Sequence, residues 1–289
     1  MKNFLKGLFQ VVFLMAFGFA VTTATLLSVQ ESQKIPPQED ISSIDNISTS
    51  LGIKEQRAIN SSRKSSVRII SVAQDIGGIS TSSGTYVKFE DKFYILTVAH
   101  GIIGGCEDTR FVTDEGLYEC RRIIDLNVLI DYAIMEVDEI KEREAVEIPH
   151  DMPRGHQWKK DFSIMSKTYY TGFPNGMGPF TIDGNVVGYN ENDFLYIKTY
   201  GWSGCSGAGI FGESGRLVAY AVALTVGQTQ YGTNVAEDIL IAVPLFKVNW
   251  PLAIMAAKEN ENEKEKRSPI ESKLSDSANS DTGPGYSNQ

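Results

Sequence analysis

Between residues 67 and 248 the chain is written in short runs of β-branched and aromatic residues, each closed by Gly, Asn, Asp or Pro. The clearest are 67–72, 84–89, 93–98, 128–137, 194–199, 217–224 and 239–243. Residues of these types fit a pleated, half-buried surface, and no long stretch carries the 3.6-residue period of a helix. The region therefore reads as all-β, a sandwich or a pair of barrels. A Pro- and Gly-rich cluster at 174–179 marks a turn-rich loop in its second half.

The ends are of a different character. Lys2 and Lys6 precede an apolar run at 8–27, so residues 1–29 read as either a cleaved secretory signal or a retained transmembrane anchor. The run is long for a signal, and Thr22-Thr23-Ala24 is a poor cleavage site, which favours the anchor. Basic residues before it and Glu31, Glu39 and Asp40 after it place the rest of the chain on the extracytoplasmic side, membrane-anchored or secreted. Residues 30–66 are rich in Ser, Gln, Asn and acidic residues and read as a flexible linker. After Trp250 a short helix over 252–258 is expected, and the Glu-, Lys-, Ser- and Asn-rich tail to residue 289 cannot bury a face. A net charge of -9 argues against a nucleic-acid partner, because phosphate contacts need a basic face.

Three stretches carry chemistry. Gly204-Cys205-Ser206-Gly207-Ala208-Gly209 hems a serine in with glycines between two apolar runs, which suits a nucleophile held beside tightly packed backbone amides. Tyr94-Ile95-Leu96-Thr97-Val98-Ala99-His100 ends a strand on a histidine, and Asp131 sits within the apolar run 128–135. A serine hydroxyl is a weak nucleophile at neutral pH and needs a neutral imidazole to take its proton, with a carboxylate to fix the imidazole's tautomer. Asp125 is a rival for Asp131, and Ser203 in Gly201-Trp202-Ser203-Gly204 is a rival for Ser206. The three cysteines, Cys106, Cys120 and Cys205, and the three histidines show no metal-ligand spacing, so no metal is expected.

The order His100, Asp131, Ser206, at spacings of 31 and 75 residues, resembles the chymotrypsin-fold serine proteases, most closely the HtrA-type and other bacterial or viral trypsin-like peptidases. Leu96-Thr97-Val98-Ala99-His100 resembles the family's Leu-Thr-Ala-Ala-His, and residues 131–138 resemble its Asp-Leu-Ala-Leu-Leu-Lys-Val-Asp. The serine loop is similar to Gly-Asx-Ser-Gly-Gly-Pro, with Ser83-Gly84-Thr85-Tyr86 and the turn Ser214-Gly215 as softer matches. The likeness covers residues 67–250.

The resemblance implies two six-stranded antiparallel β-barrels and a serine endopeptidase acting through an acyl-enzyme on polypeptide substrates, with no cofactor. It implies His100 as base, Asp131 as its orienting carboxylate, Ser206 as nucleophile, and the amides of Gly204 and Ser206 as oxyanion hole. It puts Tyr200 at the base of the pocket for the residue before the scissile bond, with Ala221 and Val222, continuing to Leu224, along its wall. None of these is acidic, so a small or medium apolar residue is expected there rather than Lys or Arg. With only residues 251–289 beyond Trp250, the PDZ domain usual in HtrA-type proteins is not expected. Cys106 and Cys120 either pair across the loop after His100 or remain two thiols.

Two departures bear on activity. Cys205 replaces the aspartate that trypsin-type zymogens pair with a newly cut N-terminus, so a site preformed without cleavage near Ile69 is expected. A cysteine nucleophile at 205 is the sharper alternative, but it would have Ser203 and Ser206 where such enzymes keep glycine. Ala208 stands for the usual second glycine, which leaves a catalytically inactive, peptide-binding relative as the rival reading.

Overall fold

The computed structural model describes residues 47–48, 50–75, 77–150, 161–229 and 232–259, without the side chains of 223–237. The apolar run at 8–27, residues 30–46 and 49 of the segment read as linker, and the polar tail from 260 lie outside the described residues. Among the described residues no helix is long and apolar enough to cross a membrane.

The first element corrects the linker boundary. Residues Ile53–Ser65 form a helix, α1, rather than flexible chain. Its buried residues are Ala58, Ser62 and Ser65, so it presents no apolar stripe and is held by polar contacts. Ser62 donates to Thr171 Oγ1 at 2.8 Å, Arg63 donates to Thr181 Oγ1 at 2.8 Å, and Lys167 meets Glu55 at 2.6 Å.

The strands of the first half are β1 Ser66–Ala73, β2 Gly78–Phe89, β3 Lys92–Thr97, β4 Thr109–Val112, β5 Leu117–Glu119, β6 Arg122–Asn127, β7 Tyr132–Val137 and β8 Val146–Glu147. They make one eight-stranded sheet in the order β5-β4-β1-β2-β3-β7-β6, with β8 added in parallel to β2. A closed six-stranded ladder was expected, and the sheet is open. The reason lies at Cys120-Arg121, the two residues between β5 and β6: the chain pairs with β4 on one side of this corner and with β7 on the other. The two edges are thus successive stretches of one bent run, joined covalently instead of by a ladder.

In the second half, β9 Lys167–Gly172, β10 Phe180–Tyr189, β11 Leu195–Lys198, β12 Gly209–Gly212, β13 Leu217–Thr229 and β14 Gly232–Pro244 form the expected closed six-stranded barrel, in the order β10-β11-β14-β13-β12-β9. A core of buried apolar residues runs from Val87, Leu96 and Ile134 of the first sheet to Ile210, Tyr220 and Val243 of this barrel. A C-terminal helix, α2, spans 250–259 and seats Trp250 against Phe89 and Tyr94, at ring-centroid separations of 6.1 and 6.2 Å. The segments before and after the β-structure therefore cross over. α1 lies on the second half and α2 on the first.

Candidate active site

β3 carries buried Tyr94, Ile95, Leu96 and Thr97 into a single 3-10 turn, Ala99–Gly101, whose outer residues are buried while His100 projects half-exposed. Asp131 reaches it from the turn that follows β6. There Asn127 Oδ1 accepts the amides of Leu129 at 2.9 Å and Ile130 at 3.2 Å, a side-chain mimic of a backbone turn. The apolar residues before Asp131 are accordingly not strand, as the sequence suggested: Val128 and Leu129 are exposed, Leu129 at 88 %. Asp131 itself adopts φ 53°, a left-handed conformation that Asp tolerates better than most residues.

The carboxylate grips His100 twice. Asp131 Oδ2 lies 2.6 Å from His100 Nδ1, and Oδ1 accepts the His100 amide at 3.0 Å. The hydrogen bond that His100 donates to Asp131 raises the imidazole pKa above its ordinary value, against the lowering effect of burial. At Asp131 burial pushes upward, but the hydrogen bonds from the His100 ring and amide win and hold the carboxyl below the usual range. The rival Asp125 is engaged elsewhere, accepting the Tyr132 hydroxyl at 2.6 Å. From the second barrel, Tyr220 donates to the carbonyl of Ile130 at 2.7 Å and steadies the turn that presents Asp131.

The serine loop is brought alongside by Ser83 of β2. The Ser83 carbonyl accepts Thr97 Oγ1 at 2.7 Å, three residues before His100, while the Ser83 amide donates to the carbonyl of Ser206 at 2.8 Å. Only glycine fits next to this crossing. At Gly207, φ 88°, a Cβ would stand 2.1 Å from Ser83 O and 2.3 Å from Thr97 Oγ1; at Gly204, φ 96°, it would stand 2.5 Å from Phe173 O.

Within the loop the amides of Cys205, Gly207 and Ala208 donate to Trp202 O, Ala221 O and Cys205 O. Among the described residues the amides of Gly204 and Ser206 meet no acceptor. The Ser206 hydroxyl donates to Val222 O at 3.2 Å, and among the described residues no hydrogen bond joins it to His100.

No family model and no curated protein sequence matches the chain. Solved structures do. The serine endoprotease from Yersinia pestis superposes with a TM-score of 0.54 at 20 % identity, over 71 % of this chain and 68 % of that one. The HtrA-type protease AlgW, with a tripeptide, gives 0.50 at 17 % identity over 66 % of this chain and 59 % of AlgW, so the chain spans less than two thirds of that protein. This chain has the trypsin-like serine protease fold.

Within that trypsin-like fold the remaining site residues fall unevenly. Ala221 is buried and Val222 half-buried, with Val222 O at the Ser206 hydroxyl; the side chains of Ala223 and Leu224 lie outside the described ones. Tyr200 does not form a buried pocket floor. The residue is 59 % exposed and its ring stacks on Trp202 with centroids 5.5 Å apart, while its carbonyl accepts the hydroxyl of Tyr170. Trp202 in turn meets Phe180 edge-on at 6.3 Å. Phe180, Trp202 and Tyr200 thus pack ring against ring, with Trp202 two residues before Gly204.

Cys205 is buried, and burial raises its thiol pKa, which weighs against a cysteine nucleophile. Ile69 lies buried in mid-β1, paired with Ser82 and Phe111. Cys106 and Cys120 are disulfide-bonded, with Cα atoms 5.2 Å apart, and join the loop after His100 to the corner between β5 and β6. Among the described residues no three metal-ligating side chains converge.

Proposed function

We propose that the protein is a serine endopeptidase whose nucleophile is Ser206, base His100 and orienting carboxylate Asp131. The observation that carries this reading is the pair of open amides, Gly204 and Ser206, on a loop whose intervening and following amides are all spent. Two unspent N–H groups beside a hydroxyl are what a developing oxyanion needs, and losing one such donor costs about 3 kcal/mol of transition-state stabilisation.

In the proposed reaction Ser206 Oγ attacks the peptide carbonyl and its proton passes to His100 Nε2. The carbonyl oxygen takes the negative charge and accepts from the Gly204 and Ser206 amides. Collapse breaks the C–N bond, with His100 returning the proton to the leaving amine; water then repeats the sequence on the acyl-enzyme. Asp131 supports this by holding Nδ1 and leaving Nε2 to face the substrate. The substrate is a polypeptide, and the apolar character of Ala221 and Val222 supports an apolar residue before the cleaved bond. The Cys106–Cys120 disulfide supports an oxidising, extracytoplasmic compartment, reached by a signal or anchor at 1–29.

A second reading, a peptide-binding relative without activity, draws on one contact: the Ser206 hydroxyl goes to Val222 O and not to His100. Catalytic hydrogen bonds often tighten only when substrate is bound, so this contact favours the rival weakly. Incubating the full chain and its Ser206→Ala variant with a mixture of fluorogenic peptides separates the two. The endopeptidase reading predicts cleavage by the wild type alone. Peptide binding to both with cleavage by neither would establish the rival.

A further inference from the structure

We infer that Ser83 is a positioning residue for the oxyanion hole, an inference that rests on the endopeptidase reading above. Ser83 is completely buried in β2, and each of its polar groups is bonded. Its backbone ties Thr97 to Ser206, as described. Its hydroxyl makes two further bonds that its place in the sheet does not require: it donates to Gly204 O at 2.7 Å and accepts the Phe173 amide at 2.9 Å. One residue of the first half therefore holds both Gly204 and Ser206, the first through its side chain and the second through its backbone.

The hydroxyl matters because its acceptor, Gly204 O, lies one peptide beyond the N–H that serves the oxyanion hole. The Gly204 N–H belongs to the peptide whose carbonyl is Ser203 O, and that carbonyl accepts the Asn175 amide at 2.7 Å. A peptide is planar and trans, so fixing its carbonyl toward Asn175 sends its N–H to the opposite side, away from Asn175. Asn175 is two residues beyond Phe173. The Ser83 oxygen thus pins two segments against each other, Phe173 on one side and Gly204 on the other, at the span where Asn175 orients the Ser203–Gly204 peptide. Gly204, at φ 96°, has no side chain to resist reorientation. Without the hydroxyl, a buried N–H and a buried carbonyl lose their partner, and rotation of this segment is their way to new ones. Such a rotation turns the Gly204 N–H out of the hole.

Burst kinetics of the full chain with p-nitrophenyl acetate test this, because acylation by that ester passes through an oxyanion without needing a known peptide sequence. In Ser83→Ala the acylation rate should fall by about tenfold or more while the apparent ester affinity stays within about twofold, the pattern of a lost transition-state contact. The acidic limb of the pH profile, set by His100 and Asp131, should not move. Ser83→Cys, close in volume and a weaker donor, should fall between the two. If Ser83→Ala does not fold, Ser83→Cys decides: a slower burst with unchanged affinity supports the inference. A folded variant acylated at the wild-type rate, or one whose affinity falls as far as its rate, overturns it. A wild type without any burst overturns the endopeptidase reading, and this inference with it.

Discussion

The contact between Asp131 and His100 has consequences that can be measured one residue at a time. Asn at 131 keeps the shape and tolerates the left-handed backbone of φ 53°, but it presents an amide to Nδ1 and removes the charge that favours imidazolium. Asp131→Asn should retain the fold and lower kcat by about 10⁴-fold. The pH dependence follows from the raised His100 pKa. Catalysis needs the neutral ring, so activity should climb as pH rises through a value above the ordinary histidine range, and in Asp131→Asn that limb should move to lower pH. The stability contribution of the pair runs the other way at its upper end. It is fully present below the unfolded histidine pKa and is lost as pH rises through the raised folded value; at acid pH it is lost again as the depressed Asp131 carboxyl protonates. At the serine, Gly207→Ala forces a Cβ to within 2.1 Å of a carbonyl, so it should yield protein without burst activity, as read with p-nitrophenyl acetate.

At the level of elements, the β4-β5 hairpin is closed at its base by a disulfide and the barrel is strapped by a helix whose buried residues are Ala58, Ser62 and Ser65. A cross-link over 14 residues removes about 3 kcal/mol of unfolded-chain entropy, so the double variant Cys106→Ser/Cys120→Ser should melt about 6–12 °C lower, as followed by circular dichroism. α1 shows why part of the fold escaped sequence reading. Its buried face is Ala58, Ser62 and Ser65, which leaves no hydrophobic periodicity to detect, and its binding comes from hydrogen bonds to Thr171 and Thr181 that only the folded barrel presents. Ser62→Ala removes a buried donor to Thr171, which keeps the Thr181 hydroxyl at 3.1 Å, and should lower stability by about 0.5–1.5 kcal/mol in denaturant unfolding. The strands were far more legible, since β1, β3 and β11 bury alternate or continuous apolar residues within a residue or two of the runs read from sequence. The error at 128–131 has a physical source: Asn127 imposes a turn that overrides the strand preference of Val128, Leu129 and Ile130.

Across the whole molecule, two β-structures meet at a seam, and the candidate chemistry sits where they touch. His100 and Asp131 come from the first, Ser206 from the second, and Ser83 spans both. These three residues were readable because His100 follows an apolar run, Asp131 is a lone carboxylate within one, and Ser206 is hemmed in by glycines between two. The open first sheet was not readable, because the corner at Cys120-Arg121 carries no glycine or proline to announce it. Nor was the role of Ser83, an ordinary strand residue until Gly204 and Phe173 are folded against it. If this seam activates Ser206, a fluorophosphonate applied to the full chain should find that serine, and mass spectrometry maps where the label goes. One modified residue is expected, Ser206, with labelling abolished in Ser206→Ala, greatly slowed in His100→Ala and retained in Ser203→Ala and Cys205→Ala. Modification at Ser203, or a folded wild type that takes up no label, would contradict it.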